Sequence, residues 1–417
     1  EQAHYFSFFS FNLTISILFF SVFQLFAPDI AKYFEVPELE AAIQAFTFVL
    51  LITAVSSVAM AKLRRELQFK ALAIIEAVKI FSSMVISLTL ALNGFGFWSL
   101  IIAMLASQVI ALIPILIVAR MLPRPYWGLT YLKQLVKFGK WDFFGGQIKL
   151  VAENVDKLII GKVLGTTQLG FYDKALGLAK MPYEQISGKM ANVSFSSFSR
   201  VQEDEAQLQY YFSKIVALNA LLLMPLLFGL AAVAESFVLS LLGEKWQPMI
   251  RSLELFSFSF VLASLTSPIT SMNFAANKIK PQTIINFVLT SLLLVAMLYW
   301  VKAGVEAVAI TIMVFNLFMF LSSFVLLNWY SGIGWGHLLQ NLLPATLFSA
   351  VMFSAIKLLQ YTVEFSSSWS EFVLSVVVGI VVYGVCLMVI PFRASLFMRD
   401  KVIKLLRKTG VGKLVGA

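Results

Sequence analysis

The 417-residue chain is 59% hydrophobic and 14% aromatic, with 13% charged residues where a soluble fold carries about 25%. Its 32 Lys and Arg outnumber 22 Asp and Glu for a net charge of +10, and its single cysteine, Cys386, excludes an internal disulfide and a cysteine-based metal site. At about 20 apolar residues per transmembrane helix, membrane spans take up nearly the whole length and leave no room for a soluble catalytic domain. Glu1 opens the chain with no basic leader ahead of an apolar segment, so the expectation is a removed leader or an N-terminal fragment.

In chain order, apolar stretches broken by charge, Gly or Pro predict twelve helices. They lie near 6–27, 40–60, 71–92, 97–119, 141–164, 168–198, 208–232, 248–273, 282–301, 304–329, 338–360 and 369–391. Runs such as Val85-Ile-Ser-Leu-Thr-Leu-Ala-Leu92 continue well past the ~10-residue alternating pattern of a barrel strand. The fold class is therefore all-α, a polytopic membrane protein.

Lys and Arg are retained on the cytoplasmic side of a membrane. The connections 61–70 (Lys62, Arg64, Arg65, Lys70), 120–140 (Arg120, Arg124, Lys133, Lys137, Lys140) and 277–282 (Lys278, Lys280), with the tail (Arg393, Arg399, Lys401, Lys404, Arg407, Lys408, Lys413), hold 18 basic residues. The opposite side holds Lys32, Lys245 and Lys302. These basic connections and both visible ends are expected in the cytoplasm, and the positive charge reads as a topology device, with no nucleic-acid partner. The tail segment 399–408 sets Val402, Leu405 and Leu406 against Lys and Arg, a pattern expected to lie on the anionic inner leaflet. The segment 131–138, following Pro123 and Pro125, reads as an interfacial elbow.

Sliding the chain on itself by 210 residues aligns Glu40–Lys70 with Ile250–Lys280, pairing Phe46 with Phe256, Phe48 with Phe258, Ser57 with Ser267 and Lys70 with Lys280. The paired helices are the second and eighth spans and point the same way, which predicts a parallel repeat of two six-helix lobes. On that reading two spans precede the visible chain, and the complete architecture is 6+6+2 with a central cavity. The segments follow: an N-lobe at 1–120, a cytoplasmic interfacial linker at 121–140, a C-lobe at 141–330, two additional helices at 331–392 and a basic cytoplasmic tail at 393–417.

Most spans carry no ionisable group in the middle, but 141–164 is different. At 100° per residue, Asp142, Lys149, Glu153, Asp156 and Lys157 fall within one stripe, and Lys162 points away. A charge at mid-bilayer costs at least ~2.5 kcal/mol on insertion scales, so the stripe should face water or protein. The next helix adds Asp173, Lys174, Lys180 and Glu184, with Tyr172, Tyr183 and Gln185 nearby and Pro182 interrupting its hydrogen bonding. Glu76 and Lys79 form a smaller pair in the N-lobe. Set against this is the plainer reading that these are ion pairs tying helices together. Gly145-Gly146 reads as a packing notch. His4 and His337 have no clustered partners that would make a metal site.

No HExxH, GxSxG or P-loop motif is present and no long extracytoplasmic loop could build an active site, so no catalysis is expected. Two lobes with a Lys-rich inner wall suit an alternating-access transporter of an anionic substrate such as a phosphate or pyrophosphate. Lys149, Lys157, Lys174, Lys180 and Tyr172 are the substrate-binding candidates. Asp142, Glu153, Asp156, Asp173 and Glu184 are candidate coupling or cavity acids, and Glu76 and Lys79 are the N-lobe cavity candidates. No bound cofactor is expected beyond a coupling proton or Na+.

Three stretches carry a resemblance: Leu63-Arg-Arg-Glu-Leu-Gln-Phe-Lys-Ala-Leu-Ala73; Asn154-Val-Asp-Lys-Leu-Ile-Ile-Gly-Lys-Val-Leu-Gly165 with Leu169-Gly-Phe-Tyr-Asp173; and Leu242-Gly-Glu-Lys-Trp246. Together they resemble the Wzx-type polysaccharide flippases, in the WzxC-like colanic-acid and lipopolysaccharide exporter group of the multidrug/oligosaccharidyl-lipid/polysaccharide (MOP) superfamily. The resemblance runs over the whole chain, starting at what would be the family's third helix. It implies a MOP/MATE-like fold and movement of an undecaprenyl-pyrophosphate-linked oligosaccharide across the bacterial inner membrane, with the lysines of 149–180 meeting the pyrophosphate and sugar acids. Membrane lipids, a polysaccharide polymerase and chain-length proteins are the partners it implies. The alternatives are a cation-coupled multidrug exporter of the same superfamily and a non-transporting membrane scaffold for polysaccharide assembly.

Overall fold

A backbone in hydrocarbon has no water to bond, so each N–H and C=O must be paired within the chain, and the α-helix does this segment by segment. The computed structural model describes residues 2–133, 150, 154–201 and 204–390, and among them it contains helices and no strand. The helices are α1 (Gln2–Phe34), α2 (Glu38–Phe46), α3 (Phe48–Arg65), α4 (Phe69–Leu92), α5 (Trp98–Ala119), α6 (154–163), α7 (Gly165–Tyr183), α8 (Lys189–Arg200), α9 (Glu205–Ala232), α10 (Ala234–Leu241), α11 (Ile250–Ala275), α12 (Ile279–Trp300), α13 (Val305–Ser331), α14 (Trp335–Thr362) and α15 (Ser368–Val389).

Among the described residues, ten helical segments are long and apolar enough to cross a membrane, so the protein is a multi-pass membrane protein. These ten correspond to ten of the twelve predicted spans. The other two are the charged ones. Of 141–164, residues 141–149 and 151–153 lie outside the described residues, and with them Asp142, Lys149, Glu153 and the Gly145-Gly146 notch. The segment 168–198 falls inside an unbroken helical run from Gly165 to Arg200, set apart from the ten by its charge. Most of the 131–138 elbow and the whole 399–408 segment are likewise outside the described residues. The first helix runs on to Phe34, past its predicted end at 27, because Pro28 removes one N–H donor without stopping it.

The chain divides into two compact units, residues 1–153 and 154–417. In the first, α3 packs on α1 and α5, and α4 on α5. The buried stripe of α5 is Ser99, Ala103, Ser107, Ala111, Ile115 and Ala119. Apart from Ile115 these are small residues four apart, which let neighbouring backbones approach closely and in lipid supply the packing that a hydrophobic driving force cannot. In the second unit α11 is the central element, packed against α7, α8, α9 and α13. The last two helices join this unit: α14 packs on α9, and α15 on α14 and α10.

The 210-residue offset is reproduced in three dimensions. Arg65 ends α3 and Ala275 ends α11; Phe69 begins α4 and Ile279 begins α12. The intervening turns share one geometry, with Leu67 at φ 55° and Asn277 at φ 58°. Their hydrogen bonds also correspond: Gln68 N–H donates to Leu63 O at 3.0 Å and Lys278 N–H to Asn273 O at 2.8 Å. One difference is the break at Thr47 between α2 and α3, whose counterpart lies inside a continuous α11.

A polar network crosses the second unit. Asn273 Nδ2 donates to Gln282 Oε1 at 2.7 Å and to Ser323 O at 3.1 Å. Gln282 Nε2 donates to Ser323 Oγ at 3.0 Å and Asn286 Oδ1 at 2.9 Å, and the Tyr330 hydroxyl donates to Asn273 Oδ1 at 3.0 Å. Asn273, Gln282 and Ser323 are fully buried, so the network joins α11, α12 and α13 where no water competes.

Two stability measurements follow from these features. Leu67 holds a left-handed conformation that costs a non-glycine residue about 1–2 kcal/mol, against ~0.4–1 kcal/mol of added unfolded-state freedom for glycine. Leu67→Gly should therefore raise the thermal midpoint in detergent slightly, whereas Asn277→Gly should leave it nearly unchanged because asparagine tolerates this region. Gln282→Leu should lower stability by roughly 1–2 kcal/mol by stranding Asn273 and Ser323, read as a lower midpoint in the same assay.

Candidate functional site

The charged motif residues come together where α6 meets α7. Leu164 breaks α6, and Gly165 at φ 85° reverses the chain direction in one step, a backbone conformation that glycine adopts without penalty. The hairpin then sets successive residues of one helix against successive residues of the other. The Tyr172 hydroxyl donates to Asp156 Oδ2 at 2.5 Å, and Lys157 Nζ lies 2.6 Å from Asp173 Oδ1.

The two contacts differ in surroundings. Tyr172 is fully buried, with its ring edge-on to Phe256 of α11 at 5.4 Å. It shares the buried face of α7 with Ala175 and Ala179, three and seven residues on, where the small side chains let α7 lie close on α11. Tyr172 thus reaches the charged cluster only through its hydroxyl. The other oxygen of Asp156, Oδ1, is buried with no hydrogen-bond partner among the described residues. A carboxylate oxygen so placed is costly unless it takes a proton or a cation. The Lys157–Asp173 pair is more open, with side chains 36% and 54% exposed.

Farther along α7, Lys180 Nζ pairs with Glu184 Oε1 at 2.8 Å, one turn on. Lys174 is exposed and forms no ion pair or hydrogen bond among the described residues. Pro182 has no N–H to continue the α-helical ladder, and from Glu184 to Gly188 the chain runs as a π-helix before α8 resumes. This wide turn is braced from within: Ser187 Oγ donates to Asn219 Oδ1 at 2.7 Å, and Asn219 Nδ2 donates to Ser264 O at 2.6 Å. In the first unit Glu76 and Lys79 pair at 2.7 Å on the mostly exposed face of α4.

The structure therefore assembles Asp156, Lys157, Tyr172 and Asp173 into one cluster, with Lys174, Lys180 and Glu184 continuing along the same helix. Asp142, Lys149 and Glu153 lie outside the described residues. Among the described residues no group of His, Cys, Asp and Glu could hold a metal ion, and His337 Nε2 instead lies 2.6 Å from Ser213 Oγ. The brace at Asn219 and the network at Asn273 and Gln282 escaped sequence reasoning, which searched the spans for charge alone. The signal was present: amide side chains inside apolar windows demand partners as charges do.

The family model described as a polysaccharide biosynthesis protein matches residues 1–251. The teichuronic acid biosynthesis protein TuaB of Bacillus subtilis (strain 168) is 25% identical over 62% of this chain and 54% of its own. The lipopolysaccharide biosynthesis protein WzxC of Escherichia coli (strain K12) is 26% identical over 52% of this chain and 45% of its own. The succinoglycan biosynthesis transport protein ExoT of Rhizobium meliloti (strain 1021) is 26% identical over 56% of this chain and 48% of its own. The chain spans about half the length of the curated relatives it matches. Among solved structures it shares the fold of a lipid II flippase, MurJ in an inward closed conformation, with a TM-score of 0.76 at 13% identity over 96% of this chain and 85% of that one. With its family model covering more than half of the sequence, the chain belongs to the polysaccharide biosynthesis protein family, as its Wzx-type motifs lead one to expect.

Proposed function

We propose that this protein translocates an undecaprenyl-pyrophosphate-linked oligosaccharide across the bacterial inner membrane by alternating access, with no catalytic step. The observation that carries this reading is the charged hairpin of α6 and α7 in an otherwise apolar chain, where Lys157, Lys174 and Lys180 lie along neighbouring turns. Packing alone does not call for so many charges, each costing ~2.5–3.5 kcal/mol in hydrocarbon unless water or a partner meets it. An ammonium binds a phosphoryl oxygen as a compact point charge. Lys174, which has no acidic partner among the described residues, is the side chain readiest to take a pyrophosphate oxygen, while Lys157 and Lys180 would exchange a carboxylate for the substrate. The relatives, which include a succinoglycan biosynthesis transport protein and, by fold, a lipid II flippase, support the substrate class. A polysaccharide polymerase and chain-length proteins would act on the delivered units.

Asp156 is the residue we assign to coupling. Among the described residues its Oδ1 has no partner and its Oδ2 is held by Tyr172, so one oxygen is open to the coupling ion with little rearrangement. Binding there would be reported to α11 through the buried Tyr172 ring and its contact with Phe256.

Complementation of flippase-deficient cells tests the site. Lys174→Ala should lower surface polysaccharide severalfold while leaving the thermal midpoint unchanged. Lys157→Ala should do the same with a small loss of stability, because a partly exposed pair contributes under ~1 kcal/mol. The charge-swapped double variant Lys157→Asp with Asp173→Lys distinguishes the roles. A purely structural pair would be restored by the swap, and a substrate-binding lysine would not. Asp156→Asn should remove the dependence of transport on the coupling ion in proteoliposomes, whereas Tyr172→Phe should retain coupling and lose roughly 1–3 kcal/mol of stability, because both oxygens of Asp156 are then left unpaired.

A further inference from the structure

Outside the charged hairpin the first unit contains a second cationic site. A pocket of about 920 Å³ opens at one end of that unit, where the start of α1 meets the ends of α3 and α5. One side of it is apolar, formed by Phe6, Leu116, Ile117, Met121 and Leu122, and the other carries Lys62, Arg65, Arg120 and Arg124, with Glu66 as the acidic residue among the described ones.

Local chemistry builds this pocket. Lys62 Nζ donates to Ala119 O at 2.8 Å, satisfying a carbonyl that the end of α5 leaves open, and lies 3.8 Å from Glu66. Arg120 follows at φ 46° and turns the chain out of the helix. Beyond it residues 121–128 have no regular secondary structure, Pro123 and Pro125 have no N–H to donate, and the segment is fastened to α1 where Tyr126 N–H donates to Ser10 Oγ at 2.6 Å and Gly128 N–H to Ser7 Oγ at 3.2 Å. A side chain at Gly128 would come within 2.6 Å of Ser7 Oγ, so the strap lies tight on α1 and places Arg124 at the pocket.

Lys62 is engaged by Ala119 and Glu66, but the side chains of Arg120 and Arg124 form no ion pair or hydrogen bond among the described residues. A guanidinium fork matches phosphate oxygens in pairs. Ile117 and Leu122, 67% and 69% exposed, extend the apolar side outward to where lipid chains would lie. Basic connections 61–70 and 120–140 place this end of the unit on the cytoplasmic side by the retention rule.

We propose that this pocket holds the phosphodiester headgroup of an anionic phospholipid from the inner leaflet, with Arg120 and Arg124 on the phosphate and an acyl chain along Leu116, Ile117 and Leu122. The arginines here do more than orient the chain: they bind a specific lipid that fixes the ends of α3 and α5 at the leaflet surface. This site is independent of the α6–α7 hairpin and does not require the transport reading to hold.

Lipid retention tests it. The protein is reconstituted in phosphatidylcholine nanodiscs containing a minor fraction of phosphatidylglycerol, and the lipids it keeps on transfer to a neutral detergent are counted by native mass spectrometry. Wild type should keep phosphatidylglycerol in preference. Arg120→Gln and Arg124→Gln should each weaken that retention about fivefold, in line with the usual contribution of one basic residue near an anionic surface. Circular dichroism checks that both variants keep their helices. Arg64→Gln, which removes the same charge from an exposed position in the neighbouring connection outside the pocket, should change retention little. A parallel arm adds millimolar inorganic phosphate, which should leave the lipid in place because a free ion lacks the apolar contact. Unchanged retention in both pocket variants, an equal loss in Arg64→Gln, or displacement by inorganic phosphate would each overturn the proposal, the last by assigning the pocket to a free anion.

Discussion

Hydrocarbon offers no hydrogen bonds, so every donor, acceptor and charge within the spans must find its partner inside the protein, and most of this structure follows from that constraint. The backbone meets it by folding into helices. The helices then meet through small residues, as in the Ser99–Ala119 stripe of α5, because lipid tails are as apolar as the side chains they would replace and only close packing favours contact. Where polar side chains enter, they bond to one another across helices: Asn273 with Gln282 and Ser323, and Asn219 with Ser187 and the Ser264 carbonyl.

The same constraint sorts the charges into two kinds. Those at the ends of spans, Lys62 capping Ala119 O among them, reach the polar boundary and cost little. Those along α6 and α7 are held in place by each other. The hairpin turn at Gly165 brings Asp156 to Tyr172 and Lys157 to Asp173, and the π-helical turn after Pro182 widens the helix from Glu184 onward, just beyond Lys180. An irregular helix beside paired charges is expensive to keep in a membrane, and such irregularities concentrate where function requires them.

Much of the fold was legible in the sequence. Long apolar windows marked ten of the described spans within a few residues, and an offset of 210 residues, read from a handful of matching side chains, corresponds to the turns at Leu67 and Asn277 and the helix starts at Phe69 and Ile279. The candidate site was partly legible. Counting charges at helical spacing selected Asp156, Lys157, Asp173, Lys180 and Glu184. It grouped them by face on single helices, whereas two of the contacts that matter link residues 16 positions apart across a turn. Tyr172 looked like part of an open wall and is instead fully buried beneath the charges. Periodicity reports which residues share a face but not which face a neighbouring helix covers.

The sequence by itself determined the class of the protein, its helices, its internal repeat and the short list of ionisable groups, because hydropathy, helical spacing and loop charge are local quantities. Only the tertiary structure decided how those groups pair, because pairing depends on which helices touch. It gave Asp156 one held and one unpartnered oxygen, left Lys174 free of acidic partners among the described residues, and turned loop arginines that served as topology signals into the basic side of an amphipathic pocket. Distances between residues far apart in the chain come into being only when the helices pack.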